Sequence, residues 1–478
     1  MSNLTATSVD VAVIGAGFAG LQAALDVQKA GLSYALIEAN DRVGGKTLTT
    51  DLGSIDGVVE LGPTWINNVT QPRITSLVEG YNLTTAVQYL EGLGVFFSSN
   101  GTAIAAPAGS IPESATEEEL AKLEAILTLT ELEGQKFDTE RPGQWVNGSA
   151  PLLPDTSLGK FMEEKGIEQG SFAYTFLTAS HRTIFGLDPS EVGMHYLLDL
   201  LKQCHGWQSL TGDHAEGAQY LWVPEGIRAV AEHMANDLRH GTVSLGDPVT
   251  HIFQANSSTT VRTKSGRNIT AKKVILTAAS HTYTHINFTP ALPRSKRELA
   301  INTLRGRTIK TLITYRSPWW RELGLLGKFT SAGKGPITTT WELSYNNTGL
   351  YALAIFSAGA DYDTFVNGTT ALERQAAMLD DLAGIFGTAV GQSKKDVVYN
   401  VVEYLERDWY EEPYIESSPI ASIGPGDFAR LAPALRDVVG HVHFSGTETA
   451  SVWKGYLEGA VDSGNRAAKE VIELLGRN

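Results

Sequence analysis

The sequence has one cysteine, Cys204, in 478 residues. That excludes an internal disulfide and any cysteine-built metal cluster. No apolar run reaches the 18 or so residues that a membrane-crossing helix needs, so no membrane span or membrane partner is expected. Positive charge is scarce: 38 Lys and Arg stand against 53 Asp and Glu, a formal net charge of −15. A nucleic-acid partner needs a basic face, and this balance argues against one. His181, His195, His205, His214, His233, His240 and His251 are scattered without H-x-x-x-H or H-E-x-x-H spacing. No metal site is expected from them. Ser110 and Ser180 lack the glycine-flanked turn of a hydrolase nucleophile.

What is present describes an ordinary folded protein: 42% hydrophobic and 19% charged residues. The chain is too long for one core, so two or three domains are expected. Asn3, Asn68, Asn82, Asn100, Asn147, Asn256, Asn268, Asn287, Asn346 and Asn367 each begin N-x-S/T. With Ser and Thr at about a sixth of the chain, roughly three sequons would arise by chance. The excess points to a glycoprotein of the secretory pathway. No apolar signal segment follows Met1, so secretion requires a leader already removed. A soluble cytoplasmic or peroxisomal-type location is the alternative.

Residues 10–14 read as a buried parallel strand, 20–30 as a helix and 34–37 as the next strand, a βαβ unit. Residues 117–132 carry a helical pattern, with Pro/Gly-rich breaks at 142–154. Strands return over 243–275, punctuated by Lys264-Ser265-Gly266-Arg267, and residues 272–278 are suited to re-enter the first sheet. Strand-like runs over 312–356 suggest an antiparallel sheet, 371–386 a helix, and 442–444 a strand before a helix at 459–475. The reading is an α/β protein of two interleaved domains: 1–80, 225–290 and 415–478 in one, 81–224 and 291–414 in the other.

Gly15-Ala16-Gly17-Phe18-Ala19-Gly20 follows a strand and opens a helix, the context a dinucleotide fingerprint requires. Gly15 permits the tight turn, Gly17 lets backbone approach a pyrophosphate, and Gly20 packs helix on sheet. The helix N-terminus favours the phosphates. Glu38, at the end of the second strand, is placed to accept both ribose hydroxyls and to repel a 2′-phosphate. Next, Asp41-Arg42-Val43-Gly44-Gly45-Lys46-Thr47 resembles the R-x-G-G-[RK] continuation of glutathione reductase-like flavoproteins. Glu60-Leu61-Gly62-Pro63-Thr64-Trp65 resembles the segment that passes the flavin ring in flavin amine oxidases. Lys46 stands where that family prefers arginine, and Gly62-Pro63 where it prefers Gly-Gly.

Gly446-Thr447-Glu448-Thr449-Ala450, then Trp453-Lys454-Gly455-Tyr456-Leu457 onward, extends the resemblance over nearly the whole chain, to the monoamine oxidase-like branch of the flavin amine oxidases. The resemblance implies a glutathione reductase-like, Rossmann-type FAD-binding domain interleaved with an α+β substrate domain that carries an antiparallel sheet. It puts Glu448 near the ribityl-pyrophosphate, Val249 on the adenine side, and Leu457 to Val461 at the pyrimidine ring. Lys310 matches the lysine that holds a water at flavin N5, and Tyr456 one wall of the aromatic substrate cage. Pro419 stands where the second aromatic wall is usual, and Ser418 where membrane-bound relatives carry the flavin-linking cysteine; non-covalent FAD follows. Gln219 matches a substrate-facing glutamine or is a surface amide. Trp409 packs near the flavin or in a plain core. Arg42, Gly45, Lys46, Gly62, Pro63, Thr64 and Trp65 complete the expected cofactor set.

The implied reaction is oxidative deamination of a primary amine with O2, giving aldehyde or ketone, ammonia and hydrogen peroxide. The opened cage suits a bulky or long-chain amine, such as a fumonisin-type amino-polyol, with Lys454 or Arg182 receiving its acidic groups. Two alternatives remain: an L-amino-acid oxidase using Arg73, Arg182 or Arg321 to grip a carboxylate, and an FAD-binding interaction protein without turnover. A homodimer is left open.

Overall fold

The computed structural model describes residues 7–54, 57–107, 110, 112–113, 115–333, 335–344 and 349–476. The sequons at Asn3 and Asn346 lie outside these residues. Two sheets carry the structure. In the first, Thr7–Ile14 lies between the parallel strands Tyr34–Ile37 and Asn268–Leu276. Val243–Ser244 extends the parallel layer at one side and Val442–Phe444 at the other. The strand at 268–276 thus does re-enter the first sheet, and its antiparallel hairpin with Thr259–Thr263 turns where the Ser265-Gly266 signal stands.

These strands are buried on both faces, which is why they read as continuous apolar runs. Val11, Val13, Leu36 and Ile275 point to one core with the helices Phe18–Lys29, Ile227–Asn236 and Leu457–Leu474. Ala12, Ile14, Ala35, Ile37, Val274 and Leu276 point to the opposite core, against Val249, Ile252, Val261 and Phe444.

The second sheet has seven strands in the order Glu403–Asp408, Thr308–Tyr315, Tyr351–Ala358, Thr339–Glu342, Leu325–Ser331, Leu93–Phe97, Ala103–Pro107. It is antiparallel except where Leu93–Phe97 runs parallel to Leu325–Ser331. Ile309, Ile313, Phe329, Leu353 and Ile355 on one face pack on Met378, Leu382, Ile385 and Phe386 of the helix Ala371–Val390. The opposite face carries Lys310. The two strands at 93–107 leave little mark in the sequence. They are short and lie among Gly and Ser, and only Leu93–Phe97 joins them to the rest of the sheet, through a partner more than 200 residues away.

The helices Phe172–Phe185 and Met194–Gln203 contribute to the largest apolar cluster, with Phe137, Trp207, Phe428 and Trp453. Thr116 caps the helix Glu117–Gly134 by accepting the Glu119 N–H, and three glutamates fill its first turn, where the helix dipole favours them. Among the described residues no helix is long and apolar enough to cross a membrane.

Candidate active site

One cavity of about 590 Å³ opens at the carboxyl ends of the parallel strands and continues over the free face of the second sheet. Ligands of open α/β sheets bind at such strand ends. Gly15 (φ +100°) turns the chain there; a Cβ on it would lie 2.4 Å from Thr277 Oγ1, and one on Gly20 only 1.8 Å from the Gly15 carbonyl. Gly17 is different. Its nearest neighbour would be Gly45 Cα at 3.7 Å, so two glycine loops meet backbone to backbone beside the cavity. Gly17 caps the helix Phe18–Lys29 without any side-chain hydrogen bond, which leaves its first N–H groups for an anion. The helix Leu457–Leu474 likewise starts uncapped at Tyr456, with Leu457 on the cavity wall.

The Glu38 carboxylate is fixed by the Ala16 N–H at 2.5 Å and the Asn40 N–H at 2.8 Å. Burial pushes its pKa up, and those two donors hold it down in part. Its remaining lone pairs suit two hydroxyl donors. Val249, Pro63, Thr64, Trp65 and Glu448 line the same cavity. Trp409 lines it too and donates its indole N–H to the Leu61 carbonyl at 2.7 Å. Lys46 donates to the Pro419 carbonyl at 2.9 Å; burial lowers its pKa, and the Glu448 charge opposes that.

Lys310, on the strand Thr308–Tyr315, is 1% exposed. Its ammonium donates to the Gly62 carbonyl at 2.8 Å and to the Thr64 hydroxyl. Burial drives it down to about 7, while the buried Glu60 carboxyl is driven up to about 7, each drawn back by the other's charge. Tyr456 packs edge-on to Trp453 at 4.9 Å between centroids, and burial holds its hydroxyl pKa above the ordinary range.

The cavity floor is a single cross-strand row. Lys310 is paired with Phe356, Phe356 with Thr339, Thr339 with Thr330, and Thr330 with Phe96. All five line the cavity. At about 4.8 Å per strand the row runs roughly 19 Å from Lys310 to Phe96. Phe176, Ala179, Ser180, Thr183 and Ile184, spaced as one face of the helix Phe172–Phe185, line it as well. Gln219 lines it with its side-chain oxygen buried and unpartnered.

Residues 18–472 match the family described as flavin containing amine oxidoreductase. The chain belongs to that family. As a flavin-containing amine oxidoreductase it is an FAD-dependent oxidoreductase, and the uncapped helix starts, facing glycine loops and Glu38 fit that cofactor. The cyclohexylamine oxidase of Brevibacterium oxydans is 28% identical with a TM-score of 0.88, over 98% of this chain and 100% of that one. Amine oxidase [flavin-containing] B of Mus musculus is 29% identical over 98% of this chain and 87% of its own. An L-amino acid dehydrogenase of Synechocystis is 27% identical over 98% and 96%.

Several residues of this amine oxidoreductase sit elsewhere than the sequence suggests. Arg42 does not line the cavity; it donates to the Thr47 carbonyl at 2.7 Å, with Glu412 3.9 Å away. Val461 is in the helix core, with Ala460 on the cavity wall instead; Gly20 does not line the cavity and sits at the helix–strand contact that its sequence role required. Lys454 lines the cavity but is engaged by Asp199, both side chains being buried. Arg182 pairs with Asp188 and Asp361, Arg73 with Glu458 and Asp462, Arg321 with Glu342; none of these three arginines lines the cavity. His281 and His285 do stand four apart, yet His281 Nε2 meets the Ile415 carbonyl at 2.9 Å and His285 the Glu416 carboxylate at 3.0 Å. Asp213 and Lys328 escape sequence reasoning, because nothing local marks a buried carboxylate or a strand lysine as part of a site.

Proposed function

We propose that this protein oxidises a primary amine, using O2, to an aldehyde or ketone, ammonia and hydrogen peroxide. The observation that carries this reading is one continuous cavity joining the Gly15–Gly17 loop to Lys310 and Tyr456. FAD, when bound there without a covalent link, supplies the acceptor for a hydride equivalent from the carbon beside nitrogen and passes two electrons to dioxygen. Water then converts the imine to the carbonyl product and ammonia.

The chain's own groups divide the remaining work. Tyr456, Phe356 and Trp341 present apolar faces that favour the neutral amine over its ammonium, so no strong base is required. Lys310, fixed by Gly62 and Thr64, puts a positive charge where reduced oxygen species would form. Gln219 and Pro419 border the substrate, and Pro419 supplies no second ring. The row of roughly 19 Å supports a long-chain or bulky amine, such as a fumonisin-type amino-polyol. Among the described residues no arginine lines the cavity, which supports an amine over an amino acid.

We take 1–80, 225–290 and 415–478 as the FAD-binding domain and 81–224 with 291–414 as the substrate domain. We also read the protein as a secreted glycoprotein: of eight described sequon asparagines, seven are exposed and Asn268 is half-buried. A mobility shift on glycosidase treatment checks that.

A peroxide-coupled screen of amines, with ethylamine set against alanine, tests the reaction. The reading requires peroxide from amines and a preference for ethylamine. A yellow protein that yields no peroxide across a wide amine panel contradicts it.

A further inference from the structure

The wall beyond Thr339 carries a charge that the proposed chemistry leaves unused. Lys328 lies on the strand Leu325–Ser331, two residues before Thr330, and lines the cavity. Its ammonium pairs with Asp213 and stands 5.1 Å from the centre of the Trp341 ring. Asp213 belongs to the segment that also brings Thr211 and Gln219 to the cavity. Its second oxygen accepts the Trp341 indole N–H at 2.9 Å.

Both oxygens of this buried carboxylate are therefore engaged. An ammonium has three donors, and Lys328, with its side chain 22% exposed, has Asp213 as its ion-pair partner. The Thr330 and Thr339 hydroxyl-bearing side chains stand beside it on the same wall. A negatively charged or strongly accepting oxygen group reaching this point meets a cation. A second ammonium meets that same cation and is repelled by it.

Lys328 stands three strands from Lys310 in the second sheet, about 14 Å at roughly 4.8 Å per strand. Lys310 Nζ is 5.6 Å from the Trp65 ring centre, Trp65 is 5.1 Å from Trp341, and Trp341 is 5.1 Å from Lys328 Nζ. The two ammonium groups are thus at most about 16 Å apart. An extended chain advances about 3.5 Å per three bonds, so the strand-to-strand separation of about 14 Å corresponds to roughly a dozen bonds.

We propose that Lys328 is a specificity-determining residue that receives an anionic oxygen group, most simply a carboxylate, carried about a dozen bonds from the reacting nitrogen of a long primary amine. This rests on the amine-oxidase reading and adds the charge and position of the far end of the substrate.

The test compares ω-aminododecanoate, dodecylamine, α,ω-diaminododecane and butylamine with the holoenzyme in the peroxide assay. The wild type should favour the aminocarboxylate over dodecylamine, and dodecylamine over the diamine. In Lys328→Met the ratio of kcat/KM for aminocarboxylate to dodecylamine should fall about tenfold or more, chiefly through KM. A general loss of activity cancels in this ratio. Should Lys328→Met fail to fold, Lys328→Met/Asp213→Asn removes both charges and should show the same fall. A wild type without preference for the carboxylate, or a ratio unchanged in the folded variants, overturns the proposal. Butylamine separates the two levels: peroxide from butylamine with an unmoved ratio sinks only the Lys328 assignment, whereas no peroxide from any amine sinks the amine reading.

Discussion

The Lys310 ammonium donates to the Gly62 carbonyl at 2.8 Å, a contact between residues 248 apart in sequence. It ties the floor of the second sheet to the loop that follows the short strand Val58–Glu60. Both ends of the contact lie on the cavity wall, and the Lys310 ammonium is held in place by this carbonyl and the Thr64 hydroxyl.

Lys310→Met removes that charge and leaves the Gly62 carbonyl without its donor. Stopped-flow measurement should show reoxidation by dioxygen slowed by about tenfold or more, with anaerobic reduction by amine changed less. Equal slowing of both halves would contradict the role given to Lys310.

The two glycines of the loop should fail in different ways. A methyl on Gly20 collides with the Gly15 carbonyl, so Gly20→Ala should unfold the loop and lower the melting temperature. A methyl on Gly17 finds only an ordinary contact with Gly45, so Gly17→Ala should fold. Its deficit should show up as weaker flavin retention, because the methyl takes space needed for close backbone approach to a pyrophosphate. Thermal melts of apoprotein and flavin content after dialysis distinguish the two.

Lys454 and Asp199 are a buried ion pair, with 1% and 2% of their side chains exposed. Lys454→Met strands the Asp199 carboxylate, at a cost of about 3–5 kcal/mol in unfolding free energy. Denaturant unfolding should show that loss. A variant of undiminished stability with altered KM for anionic amines would restore the substrate role suggested by sequence.

His181 is fully buried and burial lowers its pKa to about 4, with its Nδ1 facing the Leu187 carbonyl at 3.0 Å. Below pH about 6.5 the unfolded chain takes up a proton that the fold refuses until about 4. Stability should therefore fall across that window, by roughly 3 kcal/mol from this group. His181→Asn should lose less stability than wild type between neutral pH and the acid end of the window. Parallel losses would show that other groups set the acid limb.

Much of the first sheet is legible because its signals are local. The apolar run ending at Ile14, the glycine turn and the strand ending at Ile37, just before Glu38, fall within about thirty residues. The return of the strand at 268–276 is legible for the same reason, as a hairpin with its turn residues. The long floor of the cavity is not. It depends on Leu93–Phe97 joining Leu325–Ser331 in parallel, a pairing no local pattern encodes. Lys454 looks free in sequence because its partner, Asp199, lies 255 residues away, and of the two partners of Arg182 one, Asp361, lies 179 residues away. Lys328 looks like any strand lysine until Asp213 and Trp341 are brought beside it.

The most direct test is anaerobic mixing of the purified holoenzyme with a long primary alkylamine, followed by air. The visible flavin absorbance should be lost on mixing and restored by oxygen, with one peroxide and one carbonyl product formed per amine consumed. Flavin absorbance that stays unchanged with every amine, in protein that retains its FAD, would contradict it.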